Sequence, residues 1–430
     1  MKRNRIDIIT LGCSKNLVDS EKLARQFVAN GYTVKHDAEK VEGEIVVINT
    51  CGFVNDAKEE SVNTILQFAA AKRWNKIKRL FVMGCLSERY LNELKQEIPE
   101  VDKFFGKFDW RGLLSALGKS YHADLELERG LSTPAHLAYL KISEGCSRTC
   151  AFCAIPLMTG KHVSRPIAEI VGETKKLVAN GVKEILLIAQ DLTFYGFDTD
   201  RKSRLAELIE YLSDINGLEW IRLHYAYPSL FPYNILKVMQ ERENVCKYLD
   251  IAFQHVSDNM LRLMKRNITK AETLELIHAI RTAVPGIHLR TTLMVGHPGE
   301  TQADFEELKD FVAEMRFERL GAFVYSDEEG TYANTHYRDD VAAETKKSRL
   351  DELMALQETV AFEIARQKTG KTFKTIIDRE EPDFYIGRTE FDSPEVDPEV
   401  LIEKTKKMTV GDFYQVKISG MNGFDMLGEF

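Results

Sequence analysis

Three cysteines, Cys146, Cys150 and Cys153, lie close together in a Cys-x3-Cys-x2-Cys pattern. This spacing lets one short loop place three thiolates at three corners of a cubane iron–sulfur cluster. The fourth iron would then have no protein ligand and could bind a small molecule through nitrogen and oxygen donors. Zinc is the alternative, but a structural zinc site needs four ligands, and the nearest further candidate is His162.

Three other cysteines, Cys13, Cys51 and Cys85, each lie within two residues of the end of a predicted strand. Because the carboxyl ends of parallel strands meet at one edge of a sheet, we expect these thiols to converge there as a second ligand set. Three buried structural thiols are the alternative. The seventh cysteine, Cys246, is expected to have no ligand role. Disulfides are a poor explanation in a reducing compartment.

The elements that must position these cysteines fall into three groups. Residues 1–120 alternate strand and helix patterns, which predicts an open parallel α/β domain. Residues 136–368 contain six further βα units, too few for an eight-stranded barrel, and predict a partial (βα)6 barrel. The Cys146 loop follows its first strand. Residues 370–430 change to short strands and predict a small all-β barrel.

Composition and charge narrow the class of protein. Hydrophobic content of 44% and charged content of 29% are ordinary for a globular protein. No run approaches the roughly 18 apolar residues of a membrane helix, and the first apolar segment is too short for a signal peptide. We therefore expect a cytoplasmic protein with no membrane partner.

The net charge is −8, and the window 378–403 holds ten acidic and two basic residues. This acidic window suggests a basic partner, with a solvated acidic loop as the alternative.

These residues carry a family resemblance. The Cys146/Cys150/Cys153 spacing, with Phe152 before the last cysteine, resembles the radical S-adenosylmethionine superfamily. The second cysteine set is similar to that of the methylthiotransferase subfamily, which holds a second cluster on an N-terminal α/β domain. The C-terminal β module resembles the TRAM domain of the same subfamily. The resemblance spans essentially the whole chain and implies a partial barrel of radical S-adenosylmethionine type between those two domains.

Two branches of this subfamily differ in substrate. One modifies an adenosine of transfer RNA, and the other, the RimO branch, modifies an aspartate of the twelfth small-subunit ribosomal protein. The segment 11–21 (LGCSKNLVDSE) resembles the RimO branch, whereas the transfer-RNA branch usually has Gln-Met-Asn after the first cysteine. Segments 189–191, 254–258 and 290–296 are also similar to RimO sequences. His297 departs from the phenylalanine expected before Pro298.

The charge of the C-terminal module agrees with that branch. Residues 370–430 carry eight basic and thirteen acidic side chains. A module that binds RNA should be basic, because contacts with the phosphates supply most of the non-specific affinity for nucleic acid. We therefore expect a basic ribosomal protein as substrate, and we do not expect RNA contact to dominate.

The resemblance implies two [4Fe-4S] clusters, one on each cysteine set, with S-adenosylmethionine bound at the open iron of the Cys146/Cys150/Cys153 cluster. Its reductive cleavage would give a radical that removes hydrogen from the aspartate β-carbon, so no side-chain acid or base is expected to be catalytic. The other cluster would supply sulfur and a second S-adenosylmethionine the methyl group. A flavodoxin- or ferredoxin-type protein would supply electrons.

Further contacts of S-adenosylmethionine are predicted at Phe152, Gln190, Gln254 and Gly296. The two glutamines follow barrel strands, where barrel sites gather, and Gly296 lies in a glycine-containing segment that could admit the adenosine. Capping or turn roles are the alternative for these residues. His255 and His297 are expected to be turn residues with satisfied hydrogen bonds.

Two other functions stay open at this point. One is a transfer-RNA adenosine methylthiotransferase, which loss of methylthio-adenosine from the transfer RNA of a deletion strain would favour. The other is a non-catalytic iron–sulfur or zinc scaffold that binds a ribosomal or RNA partner. Iron and sulfide quantitation would separate such a scaffold from an enzyme with two clusters.

Overall fold

The N-terminal part of the chain is an open parallel α/β sheet. The computed structural model describes residues 2–38 and 40–430. The strand order is β2-β1-β3-β4-β5, with apolar side chains packed on both faces of the sheet. The elements are β1 (Lys2–Thr10), α1 (Ser14–Ala29), β2 (Thr33–His36), β3 (Gly43–Thr50), α2 (Asn55–Arg73), β4 (Arg79–Gly84), α3 (Cys85–Arg89), α4 (Leu91–Glu97), β5 (Lys103–Phe104) and α5 (Trp110–Ala116).

The central part is a six-stranded parallel sheet in the order β13-β12-β11-β10-β9-β6, open between its first and last strands, which confirms the predicted partial barrel. Its elements are β6 (Leu137–Lys141), β7 (Ser143–Glu144), α6 (Ile155–Thr159), β8 (Val163–Ser164), α7 (Ile167–Ala179), β9 (Glu184–Ile188), α8 (Phe197–Asp200), α9 (Leu205–Ser213), β10 (Trp220–Ala226), α10 (Asn234–Glu241), β11 (Val245–Ile251), α11 (Asp258–Leu263), α12 (Lys270–Ala283), β12 (His288–Val295), α13 (Gln302–Met315), β13 (Arg319–Val324), α14 (Tyr332–His336) and α15 (Ala343–Arg366). Capping boxes at Thr269 and Thr301 start α12 and α13.

The two faces of the barrel strands differ in polarity. Alternate residues such as Leu187, Leu223 and Leu249 join the large apolar core under the surrounding helices. Their neighbours on the other face include Glu184 and Arg222, both fully buried. Because successive side chains of a strand point to opposite faces, this alternation gives the barrel a charged interior.

The C-terminal part is a closed five-stranded barrel in the order β14-β15-β16-β18-β17. This confirms the predicted all-β module. Its strands are β14 (Thr372–Glu380), β15 (Phe384–Thr389), β16 (Val400–Glu403), β17 (Phe413–Asn422) and β18 (Asp425–Glu429). Across the described residues 2–38 and 40–430, no helix is both long and apolar enough to span a membrane.

The C-terminal barrel closes the amino-terminal edge of the central barrel. Phe413 packs edge-on against Trp220, the first residue of β10, with ring centroids 4.8 Å apart. Arg388 and Arg222 both bind Glu184, at 2.7 and 2.9 Å. The opposite, carboxyl-terminal edge carries the Cys146 loop and contacts the N-terminal domain.

The prediction that the acidic window 378–403 forms a free docking face is wrong for its central residues. Asp392 binds Arg319 at 2.7 Å, and Asp397 binds Arg290 at 2.9 Å; both carboxylates belong to buried residues. The physical reason is that buried guanidinium groups inside the central barrel need acidic partners. The exposed acidic side chains that remain are Glu380, Glu381, Asp383, Glu395 and Glu403.

Candidate active site

Cys13, Cys51 and Cys85 converge at the carboxyl edge of the N-terminal sheet. Cys13 precedes α1, Cys51 follows β3, and Cys85 opens α3 directly after β4. The loops approach so closely that a Cβ at Gly12 would lie 2.8 Å from the Cys51 Sγ. Gly12 also has φ +92°, so glycine is required here for both space and backbone conformation. The three cysteines therefore lie at one edge of the sheet, as expected, and their role as a ligand set stays a prediction.

Asn16 ties these loops together. Its Nδ2 donates to the Leu11 carbonyl at 2.9 Å and to the Thr50 carbonyl at 3.1 Å, and its Oδ1 accepts from the Cys85 thiol at 3.7 Å. Burial raises the pKa of Cys85 to about 12 and raises that of Cys51. Buried thiols of this kind are deprotonated when a metal supplies positive charge, so the donor set fits an iron–sulfur cluster.

The second trio lies on the loop after β6 and is fixed by backbone contacts. The Cys146 N–H donates to the Gly160 carbonyl at 3.0 Å, and the Cys153 N–H donates to the Cys150 carbonyl at 3.2 Å. Gly145 has φ +75°, and a Cβ there would lie 2.1 Å from the Lys161 carbonyl oxygen. Burial raises the pKa of Cys146 to about 11. This loop too fits three thiolates around a cluster.

Two residues that the sequence did not mark as cluster contacts lie against the Cys150 sulfur: Arg266, and Tyr227, which was expected to be either a core aromatic or part of the cavity lining. Arg266 Nη1 donates to Cys150 Sγ at 3.2 Å, and Tyr227 Oη lies 3.6 Å from the same atom. The Arg266 guanidinium also lies 4.1 Å from the centre of the Tyr227 ring. Hydrogen bonds and charge at sulfur tune the reduction potential of a cluster. No sequence signal marked Arg266, because it is distant in sequence from Cys150.

Replacing Arg266 with Gln should lower the reduction potential of the cluster at Cys146, Cys150 and Cys153. Removing a cation disfavours the reduced, more negative state. A unit charge about 4 Å away, at an effective dielectric constant of about 20, contributes about 4 kcal/mol, which corresponds to roughly 170 mV for one electron. A redox titration followed by electron paramagnetic resonance measures this shift. Arg262→Gln on the exposed surface of α11 is the control, and an unchanged potential in R266Q would contradict the role of Arg266.

A buried ion-pair network joins the two cysteine trios. Lys141 Nζ binds Glu144 at 2.5 Å and also Asp19 of α1, and Lys107 Nζ binds Glu144 at 3.2 Å. Burial alone would raise the pKa of Glu144, but the ammonium groups of Lys141 and Lys107 outweigh it and hold this pKa at about 2. Since Glu144 is two residues before Cys146, the network fixes the N-terminal domain against the cluster loop of the barrel.

Three of the four predicted S-adenosylmethionine contacts, Phe152, Gln190 and Gln254, lie near the carboxyl edge of the central barrel. The Gln190 Nε2 donates to Glu144 at 2.6 Å, while the buried Oε1 atoms of Gln190 and Gln254 lack hydrogen-bond partners among the described residues. Phe152 is half-buried and packs edge-on against His297. These two orphaned oxygens, at the carboxyl ends of β9 and β11, fit a ligand that carries donors. The roles of Phe152, Gln190 and Gln254 stay predictions.

Gly296 has a packing role that its sequence context did not reveal. A Cβ at this position would lie 2.3 Å from the Cγ of Lys346 on α15, and φ is +74°. The space beside Gly296 is thus occupied by α15. Its contact with adenosine stays a prediction, and the close approach of α15 is a sufficient reason for glycine.

The histidine and zinc expectations have different outcomes. His255 is confirmed as a satisfied turn residue, since its Nδ1 accepts two backbone N–H groups and its Nε2 lies 3.3 Å from Glu300. For His297 the prediction is half wrong: Nδ1 meets the Pro298 carbonyl, but Nε2 is buried without a partner among the described residues. His162 Nε2 bonds Ser164 at 3.1 Å. Among residues 2–38 and 40–430, no three His, Cys, Asp or Glu side chains surround one metal-ion position, and this holds for both cysteine trios. A cluster has several separate irons, so ligation of a cluster by either trio stays a prediction.

Cys246 is separate from both trios. It is fully buried in an apolar cluster with Trp220, Tyr248 and Ile376, where the C-terminal barrel meets the central one. This placement agrees with the prediction that Cys246 has no ligand role.

Comparison with known proteins covers the whole chain. Residues 5–106 match the family described as uncharacterized protein family UPF0004, residues 140–312 match the radical SAM superfamily, and residues 369–430 match the TRAM domain. A protein of Parabacteroides distasonis is 62% identical over 100% of this chain and 99% of its own length, and one of Bacteroides fragilis is 63% identical over 100% of both. Both are named ribosomal protein uS12 methylthiotransferase RimO. This chain belongs to the RimO family.

Membership of the RimO family confirms the branch that the segment at 11–21 predicted. A third RimO relative, from Christiangramia forsetii, is 52% identical over 100% of this chain and 95% of its own. The radical SAM superfamily match also implies one [4Fe-4S] cluster and S-adenosylmethionine as cofactors. The RimO chain described here is thus an enzyme of the methylthiotransferase class.

Solved structures support the fold of this RimO-family chain. A radical S-adenosylmethionine methyltransferase, TsrM of Kitasatospora setae, aligns with a TM-score of 0.57 at 13% identity, over 77% of this chain and 74% of that one. The cobalamin-dependent radical enzyme OxsB aligns with a TM-score of 0.52 at 12% identity, over 83% of this chain and 56% of that one. At such identities the likeness concerns the fold alone.

Proposed function

We propose that this chain inserts a methylthio group at the β-carbon of an aspartate in ribosomal protein uS12. The observation that carries the proposal is the full-length identity of 62–63% to proteins named for that activity. The meeting of two cysteine trios across one domain junction supports it, because a methylthio transfer needs both a radical source and a sulfur source. The transfer-RNA alternative loses support, since these relatives are named for uS12.

Each of the three parts of the chain has its own role in this proposal. Cys146, Cys150 and Cys153 in residues 136–368 would hold the cluster that binds S-adenosylmethionine. Cys13, Cys51 and Cys85 in residues 1–120 would hold a second [4Fe-4S] cluster. When bound, these groups supply the radical chemistry, the sulfur and the methyl group. Residues 370–430 would close the barrel from the opposite edge.

The chain's own residues have positioning roles in this proposal. Arg266 donates to Cys150 Sγ and adds positive charge beside that thiolate. Lys141 binds Asp19 and Glu144 binds Lys107, and these two pairs fix the N-terminal domain against the barrel, which sets the separation of the two cysteine trios. The unpaired oxygens of Gln190 and Gln254 are available to accept hydrogen bonds from a bound ligand. None of these groups is required to act as an acid or base.

The proposal extends to partners and to location. The reaction needs an external electron source, and we infer a flavodoxin- or ferredoxin-type protein. Because ribosomal proteins are made and assembled in the cytoplasm, the reaction would take place there. The acidic C-terminal module gives no reason to expect that RNA contact dominates, since phosphate binding needs a basic surface.

Mass spectrometry of uS12 tests the proposed function. Cells that contain the gene should show one methylthio addition on a single aspartate, and cells without it should show none. Complementation with a Cys150→Ala variant should fail to restore the addition, because this thiolate is a proposed cluster ligand. Unmodified uS12 together with a change in methylthio-adenosine of transfer RNA would overturn the assignment.

A further inference from the structure

Lys15 lies at the junction between the N-terminal domain and the central barrel. It is in the first turn of α1, two residues after Cys13, and only 8% of the residue is exposed. Its Nζ atom is 3.0 Å from the centroid of the Tyr225 ring, near the carboxyl end of β10. The ammonium group therefore lies on the side of the junction that carries both cysteine trios.

The backbone around Tyr225 is arranged to present its ring to Lys15. Tyr225 has φ +65°, which is rare for a bulky residue. Its N–H donates to Asp250 Oδ2 at 3.1 Å, which holds this conformation. Strained backbone of this kind tends to persist where a site requires it.

Lys15 differs from the two other lysines at this junction. Lys107 binds Glu144, and Lys141 binds both Glu144 and Asp19, so their charges are compensated. Across residues 2–38 and 40–430, no Asp or Glu forms an ion pair within 4.0 Å of the Lys15 ammonium, whose close contact is the Tyr225 ring. The buried carboxyl of Asp250 lies beyond that distance; burial raises its pKa, and the charges of Arg290 and Lys15 oppose this only in part. A buried ammonium with no acid in direct contact is costly, and a cation–π contact offsets only part of that cost.

We propose that Lys15 binds the side-chain carboxylate of the substrate aspartate. This inference rests on the proposed function, because it names the group that recognises the residue to be modified. An aspartate that enters the junction would supply the acid that Lys15 lacks. Since the β-carbon is bonded directly to this carboxylate, holding the carboxylate at Lys15 would hold the reacting C–H bond beside the Cys13 edge.

The proposal predicts discrimination between aspartate and asparagine. A carboxylate forms charge-assisted hydrogen bonds with an ammonium group, and these are roughly twice as strong as those to a neutral amide. Lys107 and Lys141 cannot provide this discrimination while they are paired with Glu144 and Asp19. The preference should therefore depend on Lys15 alone among these three lysines.

Binding of uS12 to the holoenzyme tests this role. We expect the wild type to bind uS12 about 10- to 100-fold more tightly than uS12 with the modified aspartate changed to asparagine. Lys15→Met removes the charge but keeps an unbranched chain, and should bind both forms with nearly equal affinity. Lys15→Arg should keep the preference. Lys35→Met, at an exposed lysine of β2, is the matched control for one lost charge and should behave as wild type.

A second measurement needs no variant. Zero-length carbodiimide coupling of wild-type holoenzyme with bound uS12 should form an amide between Lys15 and the modified aspartate, which peptide mass spectrometry identifies. Coupling of that aspartate to another lysine, or an unchanged preference for aspartate in K15M, would overturn the proposal. If the wild type neither binds nor modifies uS12, the proposed function fails; if it does both and K15M keeps the preference, only the role of Lys15 fails.

Discussion

Replacing Cys146, Cys150 and Cys153 together with alanine should abolish reductive cleavage of S-adenosylmethionine and leave about half of the iron. Replacing Cys13, Cys51 and Cys85 should also leave about half of the iron, yet some cleavage should survive. The reason is that each trio belongs to a different sheet and forms its own site. Iron and sulfide analysis and detection of 5′-deoxyadenosine measure the two outcomes.

A matched control for these triple variants is Cys246→Ala, which removes a buried thiol that contacts neither trio. It should retain all of the iron and full cleavage activity. Loss of all iron from either triple variant, with circular dichroism and gel filtration like those of the wild type, would contradict two independent clusters. Full cleavage in the variant that lacks Cys146, Cys150 and Cys153 would contradict the assignment of that trio.

Asp392→Asn should strongly destabilise the junction between the two barrels. Asp392 is fully buried, binds Arg319 at 2.7 Å and accepts hydrogen bonds from Thr389. Burial alone would raise its pKa, but Lys368 and Arg319 outweigh burial and hold this pKa well below its usual range. Removing one partner of a buried pair costs about 3–5 kcal/mol, because the other charge stays buried. Chemical unfolding monitored by circular dichroism measures the loss.

Asp383→Asn is the control for this variant, because Asp383 is exposed in the same module and loses the same charge. It should change the free energy of unfolding by no more than about 0.5 kcal/mol. Equal stability of D392N and wild type would mean that the acidic window is only a solvated face after all. In that case its charges would again be candidates for contact with a basic protein.

The sequence predicted the three-part architecture because hydrophobic periodicity is a local property. The structure contains the expected strands that end near Cys13, Cys51 and Cys85. It also contains the six βα units of the central part and the five short strands of the C-terminal part. The short edge strands β2 and β5 were missed, since they carry few of the alternating apolar residues that identify a strand. The meeting of the first three cysteines followed from topology alone, because parallel strands share a carboxyl edge.

The ion-pair partners of the acidic window 378–403 could not be predicted from the sequence. The charge of residues 378–403 predicts exposed carboxylates, whereas Asp392 and Asp397 bind Arg319 and Arg290 inside the barrel. The partners are separated by 73 and 107 positions in the chain. Whether a charge faces solvent or a buried partner depends on such distant pairings, which neither composition nor periodicity records.

The sequence by itself determined which cysteine side chains are candidate cluster ligands. The tertiary structure decided which buried charged side chains have a partner of opposite charge. Thiolate spacing is fixed within one loop, so Cys146, Cys150 and Cys153 could be predicted as cluster ligands from their order alone. That Lys141 is paired, whereas Lys15 has no ion pair within 4.0 Å among the described residues, became visible only when α1 lay against the barrel. The physical reason is that a side chain's chemical type is set by its residue, whereas the cost of burying its charge is set by the atoms that the fold brings around it.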